Sequence, residues 1–232
     1  MRKIRVVQQY VNAANNGGLK TEYEALNNRK NLLDEYEFIP VVLNNCHCGL
    51  SLSDIRFYRR AIGKADPDIV HIRGAGMESL NAVLGAKLSG SGKILVTVHG
   101  MFSDLVYYSP IKRWVCRYVV EPMIFGLSDG ISCVYERAAQ RDVFRRYRKK
   151  MLPFVYNRMP QYPDCSAEEK RALRKELNLP ENARIGIYVG RVTKEKGLSY
   201  LVDALKQVDA CWPPELCLLI VGNGDYLQEM QS

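Results

Sequence analysis

The chain reads as an α/β protein of two Rossmann-like units built on parallel sheets, and three observations in its 232 residues predict this. Short apolar runs alternate with helix-patterned segments along the whole length. Several of those runs are continuously apolar rather than alternating, as strands covered on both faces must be. A stretch with two prolines and no apolar period, NRMPQYPDC, divides the chain near residues 157–166. Strand following helix following strand demands parallel pairing with right-handed crossovers.

Taken in order, IRVVQQY is the first strand; its basic start carries too brief an apolar run for a signal peptide. Asn15-Asn16-Gly17-Gly18 supplies turn chemistry, and a helical pattern follows from Leu19 to Asn31. FIPVVLN, DIVHI, KILVTV, GISCV and MLPFVY read as further strands, giving residues 1–157 about six and a complete Rossmann-like domain. A helix is expected from Glu136 to Tyr147, with the basic run RDVFRRYRKK at its C-terminal end. Ser166-Ala-Glu-Glu169 is a capping box opening a helix that must stop before Pro180. RIGIYV is then a strand, and a helix from near Gly197 carries Leu198, Leu201, Val202, Leu205 and Val208 on one face. LCLLIV and the turn Gly222-Asn223-Gly224 close the series. Residues 158–232 thus amount to one βαβ unit, the first part of a second Rossmann-like domain that would need roughly 100 more residues.

Composition narrows the function classes. With 47% hydrophobic and 25% charged residues the chain is globular, and no apolar run reaches the ~20 residues of a membrane span. Seven cysteines without framework spacing point to reduced thiols and a cytoplasmic protein. Cys46-His47-Cys48 is too tightly spaced for a zinc knuckle and has no second pair, so no metal site is expected. The net charge of +8 implies an anionic partner. Nucleic acid does not fit, because no aromatic-interleaved basic motif is present. Arg141, Arg145, Arg146, Arg148, Lys149 and Lys150 form the densest cationic run, readable as a solvated helix end or as a peripheral contact with anionic lipid on the inner face of the plasma membrane. Gly74-x-Gly76 and Gly222-x-Gly224 lack the third glycine and ribose-binding acid of a dinucleotide site, so no cofactor is implied.

The chemistry concentrates at residues 183–205, ARIGIYVGRVTKEKGLSYLVDAL. A strand ends at the glycine turn of Gly190, two cations follow at Arg191 and Lys196, and a helix begins. Free N–H groups and the positive helix end suit a phosphate, which the cations neutralise. The same run also fits an ordinary strand–turn–helix with solvated charges. Gly17 and Gly18 sit where backbone N–H groups can approach a ligand, or simply where the chain turns. His99 ends a strand at the carboxyl edge of the sheet, where ligands bind in such folds. His71 lies inside its strand and reads as structural; His47 lies in a polar loop without an evident partner. Arg73 sits at another strand end, as an acceptor-reading group or a surface charge.

GRVTKEKG with its helix, followed by LCLLIVGNGDYLQEM, resembles the donor-domain entry of family 4 glycosyltransferases, retaining enzymes of the two-Rossmann-domain GT-B fold. NNGGLKTEYEAL, DIVHIRG, KILVTVHG, GISCVYERAAQRDVF and PFVYN match further family segments in the right order. The resemblance implies transfer of a sugar from a nucleotide-diphosphate sugar to a polysaccharide or lipid-linked acceptor, with retention and without a metal. It implies that Arg191 and Lys196 stabilise the departing diphosphate and that His99 contacts the donor sugar. Gly17, Gly18, Gly190, Gly222 and Asn223 would surround the donor. Asn157 is followed by Arg158 where many members have glycine, and nothing is carried across there. The family's Glu-x7-Glu motif is missing, so the chain is expected to be truncated within its donor domain and inactive alone. The alternatives are a non-catalytic remnant or split-enzyme piece that binds acceptor or partner only, and a phosphate-binding Rossmann protein without transferase activity.

Overall fold

The computed structural model describes all residues except Met1, 12–23, Ala25, Asn27, Asn45, Cys48, 158–162, 209–212, Pro214 and Ser232. The chain divides into two compact units, Met1–Met159 and Pro160–Ser232.

In the first unit, β1 (Ile4–Val11), β2 (Tyr36–Leu43), β3 (Ile69–Arg73), β4 (Lys93–Val98) and β5 (Gly130–Cys133) form a parallel sheet in the order β2-β1-β3-β4-β5. The register sets Val7 beside Val70 and Val70 beside Ile94 in one buried row, and Ile72 beside Val96 and Val96 beside Ile131 in the next. Pro40 is tolerated in β2 because that strand lies at the sheet edge, where the missing N–H faces no neighbour. Helices α2 (Leu52–Ala65) and α3 (Met77–Ser89) cover the sheet; α1 (Lys30–Leu33) is one turn only, and α4 (Pro110–Val115) follows β4. The expected helix from Leu19 to Asn31 falls mostly outside the described residues.

α2 starts at Ser51, whose Oγ accepts the Asp54 N–H, and ends at Asp66 in the left-handed region. It meets α3 at Gly85, where an added Cβ would lie 2.5 Å from Tyr58 Cβ and 2.9 Å from the Ile55 carbonyl oxygen. Gly85→Ala must therefore push the two helices apart. We expect it to lower stability by roughly 1–3 kcal/mol, the usual cost of overpacking. A urea midpoint unchanged from wild type would show that this contact is not limiting.

Two expected elements differ. MLPFVY is not a sixth strand: only Met151 bridges to Ile131, with Leu152 N–H on the Ile131 carbonyl and Val155 N–H on that of Cys133. Pro153 interrupts the run by removing a donor. The helix expected from Glu136 to Tyr147 is α6 (Glu136–Ala139) followed by a 3₁₀ segment, Asp142–Lys150. Three residues per turn put Phe144, Tyr147 and Lys150 on one edge. Phe144 is buried against Phe125, Tyr147 OH donates to the Pro122 carbonyl, and Lys150 Nζ donates to the carbonyls of Phe125, Gly126 and Ser128. Lys150 is thus occupied at the C-terminus of α5 (Glu121–Leu127), and Arg141 pairs with Asp104. These two residues do not belong to a solvated basic helix end.

In the second unit, α7 (Ala167–Glu176) begins with the predicted capping box: Ser166 Oγ accepts the Glu169 N–H at 3.1 Å, and Glu169 Oε2 accepts that of Ser166 at 2.7 Å. β6 (Arg184–Val189) and β7 (Leu216–Val221) pair in parallel, joined through α8 (Leu198–Val208). A short helix, α9 (Leu227–Gln231), follows β7. Among the described residues no helix is long and apolar enough to cross a membrane.

Candidate functional site

The second unit brings four of the predicted residues to one backbone junction. The loops that leave β6 and β7 at their carboxyl ends bond to each other: Gly190 N–H to the Val221 carbonyl and Val192 N–H to the Asn223 carbonyl, each at 3.0 Å. A Cβ on Gly222 would stand 1.8 Å from the Gly190 oxygen, and one on Gly224 2.1 Å from the Val192 oxygen. Only glycine permits these crossings. Arg191 and Asn223 are exposed at the junction, while Val192 between them is fully buried and anchors the loop. Lys196 lies exposed in the 3₁₀ turn Lys194–Lys196 that follows.

Gly197, at φ 72°, turns the chain into α8, so that helix starts one residue beyond its cationic approach. Its first turn holds no acid, and Arg191, Lys194 and Lys196 all precede its positive end. Cations placed there repel the helix dipole unless an anion is shared. Lys194 is held by Glu229 at 2.9 Å. Thr193 Oγ1 is buried with no hydrogen-bond partner among the described residues, a donor suited to an oxyanion. Gly224→Ala should break the crossing and, if the junction holds a phosphate, weaken that binding. Calorimetry with a nucleoside diphosphate is expected to show at least a tenfold loss of affinity, the worth of one or two hydrogen bonds. Unchanged affinity would remove the junction from the site.

The first unit gathers a polar group at the carboxyl ends of β1, β3 and β4, around the point where the strand order reverses. Gln8 and Gln9 are adjacent and both 2% exposed. Their side chains take opposite faces of the strand. Gln8 Oε1 meets His71 Nδ1 at 3.1 Å, and His71 Nε2 meets Thr97 Oγ1 at 2.8 Å. With Nδ1 donating to the amide oxygen, Nε2 accepts from the threonine, which describes a neutral ring. Burial pushes the His71 pKa down to about 3, and the positive charge of Arg73 and the ring of His99 add to it. On the other face Gln9 donates to Tyr58 OH at 3.2 Å and accepts the Arg73 N–H. Burial pushes the Tyr58 phenol up to about 12.

Arg73, readable from sequence as a surface charge, is only 5% exposed. His99 follows β4 beside it, half-buried. His47, which had no evident partner, bonds through Nδ1 to Asp54 Oδ1 at 2.6 Å and belongs to the start of α2. Gly17 and Gly18 lie outside the described residues.

Beyond His99, the loop Met101–Asp104 borders a cavity of about 380 Å³ lined by Met101, Ser103, Arg117, Glu121, Gln140 and Arg141 among others. Glu121 is fully buried and accepts the Ser103 N–H at 2.8 Å and its hydroxyl at 3.0 Å. Burial raises its pKa, outweighing those hydrogen bonds. Nothing in the sequence marked Glu121 beyond a lone acid in an apolar run. Gln8-Gln9 did carry a signal, since two amides inside a buried strand need partners. Among the described residues no group of three or more His, Cys, Asp or Glu side chains is placed to hold a metal ion.

Solved structures share this fold. A glycosyltransferase from Rickettsia africae superposes with a TM-score of 0.58 at 18% identity, covering 100% of this chain and 63% of its own. S. aureus MnaA, solved with UDP, gives a TM-score of 0.60 at 15% identity, covering 95% of this chain and 62% of its own. Two parallel α/β units of this kind make up the GT-B fold. The chain belongs to Glycosyltransferase Family 4, whose model matches residues 20–187. A second model, Glycosyl transferases group 1, matches residues 169–232. Among curated relatives, the O-antigen biosynthesis glycosyltransferase WclY of Escherichia coli is 23% identical over 158 residues, 68% of this chain and 42% of that protein. The alpha-D-kanosaminyltransferase of Streptomyces kanamyceticus is 29% identical over 101 residues, 43% of this chain and 25% of that protein. The chain thus spans less than half the length of these two relatives.

Proposed function

We propose that these residues serve a retaining, metal-independent transfer of sugar from a nucleotide-diphosphate donor to a polysaccharide or lipid-linked acceptor. The observation that carries the reading is the glycine-crossed junction of the β6 and β7 loops, with Arg191, Lys196 and a helix N-terminus around it. As the glycosyl C–O bond breaks, its electron pair leaves on the diphosphate, and fixed cations offset the growing charge. His99 and Arg73 supply contacts to sugar hydroxyls. The cavity by Glu121, with Arg117, Gln140 and Arg141 on its wall, receives the acceptor. The unframed cysteines favour a cytoplasmic location, and Arg145, Arg146, Arg148 and Lys149 a peripheral contact with anionic lipid. The test is release of nucleoside diphosphate from a panel of nucleotide sugars, with and without EDTA. Transfer that survives chelation supports the reading, and strict dependence on added divalent metal overturns it.

One observation favours a second reading, that the 232-residue chain alone binds an acceptor or partner without turnover. Ile187 and Val189, on one face of β6, are 62% and 71% exposed, so the donor unit leaves part of its sheet uncovered. Exposed charges there act in a high dielectric, where a contact pair is worth only ~1 kcal/mol. This reading expects weak nucleotide binding and tryptic cleavage beyond about residue 157. Micromolar nucleotide affinity or a protease-resistant second unit excludes it.

A further inference from the structure

The helical run from Pro110 to Leu127 has two apolar faces where a surface helix needs one. Cys116, Val120 and Ile124 turn inward and are buried. Ile111, Trp114, Val115 and Tyr118, at three- and four-residue spacing, turn outward; Ile111 is 78% exposed and Trp114 and Tyr118 are each 58% exposed. The preceding loop adds Val106 at 84%. An exposed stripe of this kind marks a contact surface.

Its polar company is one-sided. Residues 105–120, LVYYSPIKRWVCRYVV, hold Lys112, Arg113 and Arg117 and no acid. Lys112 Nζ lies 3.7 Å from the centroid of the Tyr108 ring, and the Trp114 and Tyr118 rings are 5.4 Å apart. The 3₁₀ segment is tied along α5 by Tyr147 and Lys150, which brings exposed Arg146, Arg148 and Lys149 into the same neighbourhood. Aliphatic and aromatic side chains interleaved with cations fit the boundary between headgroups and acyl chains.

We propose that this outward face rests on an anionic lipid bilayer. A second copy of the chain is the poorer occupant, because a two-fold contact would set three cations against the same three. A bilayer of acidic lipid offers both an apolar layer and the opposite charge. This surface differs from the basic run alone, and it stands whether or not the chain turns over a sugar nucleotide.

The test uses the full chain carrying Trp212→Phe, which leaves Trp114 as the one tryptophan of the original two. With vesicles of phosphatidylcholine and 30% phosphatidylglycerol, Trp114 emission should shift to the blue and be quenched by brominated acyl chains. Vesicles of phosphatidylcholine alone should do so far less, and high salt should reverse the binding. Lys112→Gln with Arg113→Gln should lower partitioning about 25-fold at low salt, about fivefold per cation. Ile111→Ser with Tyr118→Ser should abolish the shift while circular dichroism shows the fold intact. No shift with anionic vesicles overturns the proposal, as does vesicle binding that survives the serine pair. A shift that grows with protein concentration without lipid assigns the face to a second copy and equally overturns it.

Discussion

Replacing Arg191 by alanine is expected to lower turnover by about 10²–10³-fold, and Lys196→Ala by a similar factor, in a transferase assay. The figure is that of one oxyanion donor, on the order of 3–4 kcal/mol. Both cations are exposed in the approach to α8, beyond the Gly190–Gly222 crossing. Substitution of exposed side chains usually shifts stability by only about 0.5 kcal/mol, so the effect on turnover should far exceed that on folding. Because the diphosphate gains charge only as the glycosyl bond breaks, kcat should fall more than KM rises. The Arg191→Lys variant should recover only part of the rate, since a point charge cannot replace a bidentate fork. Measuring kcat and KM for donor in the three variants decides the matter. Unchanged kinetics in both alanine variants would show that these cations merely solvate a turn.

Acid is expected to unfold the first unit earlier than its carboxylates alone require. His71 is neutral in the fold, with a pKa pushed down to about 3 by burial, Arg73 and His99. In the unfolded chain the same ring titrates near 6.5. Below that pH the unfolded state takes up a proton that the native state refuses. The stabilisation is complete above pH 6.5 and is lost as pH falls toward 3. The folding equilibrium should weaken by up to tenfold per pH unit, roughly a thousandfold over the window. Asp54, Asp104 and Asp129, whose pKa values are held low, contribute near and below about pH 4. Glu78 and Glu121, raised by burial, take up protons in the native state above the usual carboxylate range and oppose His71 between about pH 6 and 4.5, so its share is read by comparing wild type with a His71 variant. His71→Gln should cost about 1 kcal/mol at pH 7 through a lost hydrogen bond and flatten the slope in that interval. An identical change of urea midpoint from pH 7 to 5 in wild type and His71→Gln would contradict this.

Much of the fold was legible because it rests on local pattern. Short apolar runs named the seven strands of the described residues. The Ser166–Glu169 box and the start of α8 next to Gly197 were readable because capping and backbone handedness involve residues within a few positions of one another. Gly190 and Arg191 could be named from the strand–turn–helix pattern, whereas Gly222 and Asn223 were named as donor residues only through the resemblance to the family.

What the tertiary structure alone decided concerns pairs distant in the chain. MLPFVY has strand composition, yet Pro153 and a single bridge to Ile131 keep it from the sheet. The basic run at residues 141–150 was expected to continue an α-helix. Burial of Phe144 against Phe125 and the pull of Asp104 on Arg141 wound it as 3₁₀ instead and withdrew two of its cations. Arg73 read equally as an acceptor-reading group or a surface charge, and its burial depends on which strands lie next to β3. The crossing at Gly222 and Gly224 has the same origin. A glycine near a strand end can serve a turn or a close approach, and only the parallel pairing of β6 with β7 brings the Gly190 and Val192 carbonyls within 1.8 Å and 2.1 Å of where side chains would stand. Periodicity is a property of neighbours in sequence, whereas burial and close approach are set by the partner that the topology supplies.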